Sequence, residues 1–221
     1  MINVLDHGYI RLVSYMQPAY PDSFDADDKH FESLSWTGDK EIVRNARVSY
    51  DNDGAERTDA QDQKLISYLY SNSHTSPFEA MVFTFEVKCP IFIARQWQRH
   101  RTWKYNEVSA RYTELPEEFY VPEALYEQGK GNKQMSGTDR VKEDTYLLGV
   151  MISNNERAFN AYHHLLSHGA SREIARTVLP LATYTRFFCT VDLHNLFHFL
   201  RLRLHPHAQM EIRVYAEAIL N

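Results

Sequence analysis

Apolar and polar side chains alternate between Met81 and Lys88. Met81, Phe83, Phe85 and Val87 point one way, and Thr84, Glu86 and Lys88 the other. A period of two predicts a strand over 80–88 with one buried face. A second strand fits 183–191 (TYTRFFCTV), and residues 1–16, containing GYIRLVSYM, read as extended structure. Helical spacing governs most of the rest. Ile42, Val43 and Ala46 make one stripe of a helix over 39–48, and Leu65, Ile66 and Leu69 do so over 59–72. Thr58 and Gln61 stand at capping-box spacing before the latter. Pro90 suits the first turn of a helix running to about 101.

A long helix covers 140–167, with Leu148, Ile152, Phe159, Tyr162 and Leu166 recurring at helical spacing and Gly169 as its stop. A short helix runs from Ser171 towards Pro180. Asp192 can N-cap a helix over 193–204, with Leu196, Phe197 and Leu200 inward. The last helix starts near 207 and carries Met210, Val214 and Ala218. Residues 17–38 read as a loop, Ser71–Pro77 as a polar break, and 114–140 as irregular, with 127–139 (EQGKGNKQMSGTD) a mobile loop. Helices dominate a modest sheet. No clean strand–helix–strand alternation and no GxGxxG occurs, which disfavours a dinucleotide-binding doubly wound fold.

The chain has 221 residues, 43% hydrophobic and 24% charged, which are globular values and exclude a disordered or collagen-like chain. At roughly 150 residues per domain the length suits one large unit or a core with an appended lobe, and a single domain spanning 1–221 is the expectation. No apolar run approaches the roughly 18 residues of a membrane span. The N-terminus lacks a basic leader region, and Asp6 and His7 interrupt its apolar stretch. A cytoplasmic protein that engages no membrane is therefore expected. The two cysteines, Cys89 and Cys189, cannot build a disulfide framework or a cysteine-rich zinc site; both read as buried thiols. His163-His164 and His205-Pro206-His207 are close pairs without metal-site spacing, so no metal is expected.

A net charge of −5 argues against a surface built for polyanions. Against that background the segment QWQRHRTWKYNEVSARY (Gln96–Tyr112) inverts the sign. From Arg95 to Arg111 it carries Arg95, Arg99, Arg101, Lys104 and Arg111 against Glu107 alone, interleaved with Trp97, Trp103 and Tyr105. Guanidinium forks match phosphate oxygens, aromatic faces stack on bases, and Asn106, Glu107 and Ser109 offer groups for a base edge. Three readings share this pattern: a nucleotide pocket, a single-stranded nucleic-acid surface, and a solvated basic helix end. The confinement of the basic excess to one segment weighs against a long nucleic-acid track.

Arg99-His100-Arg101, followed after seven residues by Ser109, resembles the RHR-x7-S signature of the flavin-dependent thymidylate synthases. The flanking PIFIARQW and YNEVSARY, the block His74-Thr75-Ser76-Pro77-Phe78-Glu79, and Arg172-Glu173-Ile174-Ala175-Arg176 with Leu179-Pro180 are similar to that family as well. So are Tyr184-Thr185-Arg186-Phe187-Phe188, Leu202-Arg203-Leu204 and His207-Ala208-Gln209. The resemblance spans about 40–220.

It implies an α/β fold of the α+β type, with a central mixed or antiparallel sheet flanked by helical lobes. It also implies a homotetramer with active sites where subunits meet. The implied activity is reductive methylation of dUMP to dTMP, with 5,10-methylenetetrahydrofolate as carbon donor and NADPH as reductant through bound FAD. No nucleic acid is implied as a partner.

Carried over by position, the resemblance places dUMP contacts on Gln96, Arg99, Glu107, Val108, Ser109, Ala110, Arg111, Arg176 and Arg203. It places FAD contacts on Ser76, Arg99, His100, Arg101, Glu107, Asp192, Leu193, His194 and His198, with His74 near the folate and flavin rings. The chain departs from many members by having Asp192-Leu193-His194 where they have Asn-x-Arg, and His198 where they have Asn. Arg203 is the implied catalytic group: a fixed cation beside the uracil edge favours the negative charge that develops as C5 becomes nucleophilic. Ser109 reads as a binding hydroxyl, because no general base or nucleophile turn accompanies it.

Overall fold

The computed structural model describes residues 1–16, 38–50, 58–131 and 134–221. The predicted loop over 17–38 therefore lies almost wholly outside the described residues.

Strands β1 (Ile2–Val4), β2 (Gly8–Tyr15), β3 (Val82–Pro90), β4 (Lys104–Glu107) and β7 (Tyr184–Asp192) form one sheet in the order β1-β2-β3-β7-β4. Every pairing is antiparallel. A separate hairpin joins β5 (Tyr126–Gln128) to β6 (Ser136–Arg140). It occupies part of the segment that composition marks as irregular, where few apolar residues reveal a strand. The helices are α1 (Gly38–Arg47), α2 (Asp59–Ser71), α3 (Ser76–Glu79), α4 (Ile91–Trp97), α5 (Asp144–Ser167), α6 (Arg172–Ala175), α7 (Leu193–Arg203) and α8 (Met210–Leu220). The architecture is α+β with an antiparallel central sheet.

Alternation in β3 and β7 turns Phe85, Val87 and Cys89, with Phe187, Cys189 and Val191, to one side, where α4, α7 and α8 cover them. Ile93, Trp97, Phe199, Ile212 and Tyr215 fill this core without solvent exposure. The buried stripe of α8 is Ile212, Tyr215 and Ala216; Met210 is exposed and Val214 and Ala218 only half-buried. The helix sits rotated from the sequence expectation because the Tyr215 hydroxyl reaches through the core to donate to the Lys88 carbonyl at 2.6 Å. That approach requires Gly8, where a Cβ would collide with the Tyr215 hydroxyl and the Val4 carbonyl.

On the other face of β3, Thr84 and Lys88 are half-buried and the neighbouring Arg11, Arg186 and Phe188 are exposed, but Glu86 is buried. Glu86 is 2% exposed. Its carboxylate accepts from Arg11 Nε at 2.5 Å, Arg186 Nη1 at 3.1 Å and the Tyr9 hydroxyl at 2.9 Å. Burial alone would raise the Glu86 pKa; these three donors outweigh it and hold the carboxyl below its ordinary value.

A second cluster, Ile42, Leu69, Phe78 and Met81, joins α1, α2 and α3 and shares Phe83, Leu193 and Phe197 with the main core. The predicted capping box forms: the Thr58 side chain accepts from the Gln61 backbone, and the Thr58 amide donates to Gln61 Oε1 at 3.1 Å. A third cluster packs Phe159 and Tyr162 of α5 on Ala175 of α6. Gly169 ends α5 in the left-handed region (φ 84°), where its amide donates to the Leu166 carbonyl.

Candidate functional site

The basic segment begins where α4 stops. That helix ends at Trp97, short of the expected residue 101. The chain then winds through tight turns, with the His100 amide on the Trp97 carbonyl and the Trp103 amide on the His100 carbonyl. The Tyr105 hydroxyl of β4 donates to the Trp97 carbonyl at 2.8 Å, with the His100 carbonyl 3.2 Å away. It is thereby a second donor to carbonyls that the His100 and Trp103 amides already engage. Gln96 and Arg99 consequently do not share a helical face.

The aromatics of this segment serve the core. Trp97 and Trp103 are buried and Tyr105 is half-buried. Trp97 lies between Phe187, Phe199 and Tyr215, with Phe199 stacked on it. The expectation that they stack on a base is therefore corrected. Their burial fixes the turn that presents Arg99 and Arg101 outward.

Helix α7 supplies the opposing wall. Asp192 caps it, its carboxylate accepting from the Asn195 amide at 2.9 Å and Asn195 Nδ2 at 2.7 Å. Leu193 packs against both cores. Neither residue lines either cleft; capping and core packing engage their side chains. His194 and His198, one turn apart, line two clefts at once. The first cleft, of about 620 Å³, is bounded by Arg99, His100, Arg101, Thr102, His194, Asn195, His198, Leu202 and Arg203. The second, of about 300 Å³, lies between α7 and the region joining α2 to α3. Its walls are Leu69, Tyr70, Ser71, Ser73, His74, Thr75, Phe78, His194, Phe197, His198 and Arg201. Ser76 is exposed beside this cleft without lining it.

Arg203 is partly buried at the base of the first cleft. Its Nε donates to His100 Nε2 at 3.0 Å and its Nη2 to the Gln96 carbonyl at 3.3 Å. Burial lowers its pKa, yet a guanidinium stays charged in proteins. Burial, with Arg203 and then His198 nearby, pushes His100 down to about 4, so its imidazole is neutral at physiological pH. The Gln96 amide nitrogen donates to Gln209 Oε1 at 2.5 Å.

The remaining predicted residues fall in a different network. Glu107 accepts from Thr185 Oγ1 at 2.6 Å and from Gln98 Nε2 at 3.1 Å. The Val108 amide donates to the Arg186 carbonyl, and Ala110 is buried. Ser109 Oγ accepts from the Arg111 amide at 3.3 Å. Arg111 pairs with the Glu173 carboxylate at 3.2 Å, and Arg176 Nε donates to the Glu173 carbonyl at 3.3 Å. Neither cleft is lined by Ser109, Arg111 or Arg176.

Sequence inspection missed Arg201, Phe197, Asn195, Thr185 and Gln209 as members of these networks. Arg201 follows His194 and His198 at i, i+4, i+7 spacing, so a helical projection would have found it. Gln209 stands 113 residues from Gln96, and its place in the His207-Ala208-Gln209 block does not reveal that pairing. Cys89 and Cys189 are fully buried, and desolvation pushes both thiols far above their ordinary pKa. Among the described residues no group of three or more metal-ligating side chains converges, and no helix is long and apolar enough to cross a membrane.

Residues 33–221 match the family model Thy1, described as thymidylate synthase complementing protein. The flavin-dependent thymidylate synthase of Thermus thermophilus is 48% identical over 218 residues, covering 99% of this chain and 72% of the relative. That of Treponema denticola is 46% identical over 220 residues, covering 98% and 74%. Among solved structures, a UMP/dUMP methylase, PolB, from Streptomyces cacaoi bound with 5-Br dUMP superposes with a TM-score of 0.81. It is 34% identical, with 99% of this chain and 90% of that chain covered.

Proposed function

The chain belongs to the Thy1 family of flavin-dependent thymidylate synthases, and on that premise we propose how its own residues methylate dUMP to dTMP. The carrying observation is Arg203: a half-buried guanidinium, gripped by His100 and the Gln96 carbonyl, at the base of a cleft edged by Arg99 and Arg101.

The uracil ring must become electron-rich at C5 before it can accept a one-carbon unit. Arg203 beside the uracil edge lowers the energy of that charge, and its burial lowers the local dielectric and strengthens the effect. Arg99 and Arg101 supply charge for anionic groups at the cleft mouth. No protein nucleophile is needed in this scheme. Both thiols are buried and held protonated, and among the described residues no base is aimed at the Ser109 hydroxyl.

The adjoining clefts fit a flavin nucleotide. Phe78, Phe197, Tyr70 and His74 wall the second with flat rings, while His194 and His198 line its junction with a basic cleft that suits a pyrophosphate. We assign this group as FAD, held by Arg99, Arg101, His194 and His198, with Ser76 and Glu107 as further proposed contacts outside the two linings. His74, in the wall of the second cleft, is proposed to lie near the folate and flavin rings. When bound, the flavin supplies redox chemistry that no side chain can. NADPH is the proposed reductant and 5,10-methylenetetrahydrofolate the carbon donor.

The proposed assembly is a homotetramer with shared sites. Ser109, Ala110, Arg111 and Arg176 are proposed to hold the dUMP phosphate together with Gln96, Arg99 and Val108. Arg111 and Arg176 converge on Glu173 away from the Arg203 cleft, which supports their serving a neighbouring copy's site. Exposed Tyr146, Val150 and Met151 on α5 offer apolar surface for such contacts. We treat residues 1–221 as one catalytic domain acting in the cytoplasm, where its substrates are dissolved. A single-stranded nucleic-acid module is not favoured: Trp97 and Trp103 are committed to the core and offer no stacking platform.

The test is spectroscopic and chemical. The purified protein should show flavin absorbance that bleaches anaerobically with NADPH, and should form dTMP from dUMP and 5,10-methylenetetrahydrofolate. Arg203→Ala should cut dTMP formation at least ~100-fold with the fold retained. A colourless protein that takes up no flavin, or normal turnover in Arg203→Ala, overturns this reading.

A further inference from the structure

Arg203 is oriented by a side chain that was expected to do something else. His100 stands between two arginines and is expected, by resemblance, among the flavin contacts. In the folded chain it is 7% exposed. Its ring packs edge-on against Phe199 with centroids 4.8 Å apart, and its carbonyl is taken by the Trp103 amide and neighboured by the Tyr105 hydroxyl. The core therefore sets the ring's position. Its Nε2 faces Arg203 Nε at 3.0 Å. A guanidinium is donor-only, so this nitrogen must carry a lone pair, and the ring proton sits on Nδ1.

We infer that His100 is the positioning residue for Arg203, its unprotonated Nε2 fixing the guanidinium in the orientation presented to the nucleotide cleft. A protonated His100 would lose the acceptor and set two cations against each other, so a phosphate-binding imidazolium is incompatible with this contact. The Gln96 carbonyl is the second acceptor, held where α4 ends, and the two together define the plane of the guanidinium. Charged and titratable neighbours of the ring are Arg203 and His198, the latter with centroids 6.2 Å away. Burial lowers the ring's pKa in the same sense as the contact requires. This inference rests on Arg203 acting at the uracil edge.

The test uses the full-length, flavin-loaded protein and a double-mutant cycle. His100→Phe keeps the ring packing on Phe199 and deletes the acceptor; His100→Gln restores a neutral acceptor. The Phe variant should lose about 30- to 100-fold in kcat for dTMP formation, read per flavin-loaded molecule, because a small misplacement of a catalytic group has that cost. The Gln variant should recover most of that loss. In an Arg203→Lys background His100→Phe should add little further loss, since it acts only through Arg203. Multiplicative losses, or a Gln variant as poor as the Phe variant, overturn the inference. If Arg203→Lys is impaired while His100→Phe is not, the inference alone fails. If Arg203→Lys turns over normally, the reading of Arg203 fails and takes the inference with it. Should the Phe variant not fold, ¹⁵N-imidazole spectra of the wild-type protein decide: a neutral Nδ1–H ring at pH 6.5 is expected, and a cationic ring overturns the assignment.

Discussion

Trp97, the last residue of α4, stacks on Phe199 of α7 with ring centroids 4.9 Å apart and planes 26° from parallel. Both are fully buried. This contact ties the helix that delivers the basic turn to the helix that delivers His194, His198 and Arg203. Site and core are thus the same structure seen from two sides. Phe199→Ala should cost about 3–5 kcal/mol in denaturant unfolding, the range for truncating a buried aromatic. In protein that remains folded, dUMP affinity should also fall, as measured by calorimetry. Wild-type affinity in such a variant would separate the pair from the site.

Glu86 stands under the opposite face of the sheet with Arg11 and Arg186 upon it. Glu86→Gln removes the carboxylate from two half-exposed guanidinium groups that water can then solvate, and a loss of about 1–3 kcal/mol is expected from the weakened charged hydrogen bonds. The folded-state pKa is depressed, so this contribution is present above the ordinary glutamate value and disappears as pH falls through the lowered one. Thermal unfolding from pH 7 down to pH 3 should therefore drop more steeply for wild type than for Glu86→Gln. Parallel curves would remove Glu86 from the stability account.

Neither thiol should matter to turnover. Cys89→Ala and Cys189→Ala each remove a small buried group, and unfolding should register a loss on the order of 1–2 kcal/mol. Rates of dTMP formation per folded molecule should match wild type. A well-folded but inactive variant at either position would restore a thiolate to the mechanism.

His100 gives a pH dependence of defined sign. Its folded pKa lies near 4 against an ordinary 6.5, so between those values the unfolded chain binds the proton more readily. Stability contributed by the neutral ring is complete above pH 6.5 and is lost as pH falls towards 4, by about 3 kcal/mol at most. Unfolding free energies of wild type and His100→Gln should converge as pH drops from 7 to 5. Equal slopes in that window would show that the ring is not held neutral.

The sequence carried much of this in advance. Alternation located β3 and β7, helical spacing located α2, α5 and α7, and the Thr58–Gln61 box formed as read. The family followed from Arg99-His100-Arg101 and Ser109, because a short run of chemistry-bearing residues is a local property of the chain. The hairpin of β5 and β6 escaped notice because exposed polar strands lack an apolar period.

Tertiary structure decided what those residues do. Trp97 and Trp103 read as stacking groups until the core claimed them. His100, expected among the flavin contacts, is buried and accepts from Arg203. The end of α4 is braced by Tyr105, a second donor to the Trp97 carbonyl from eight residues downstream that no helix rule anticipates. Composition and spacing determine which side chains a chain owns and how each segment prefers to coil. Which of them reach water, and in which protonation state, is fixed only by partners distant in sequence, because desolvation and hydrogen bonding act through space.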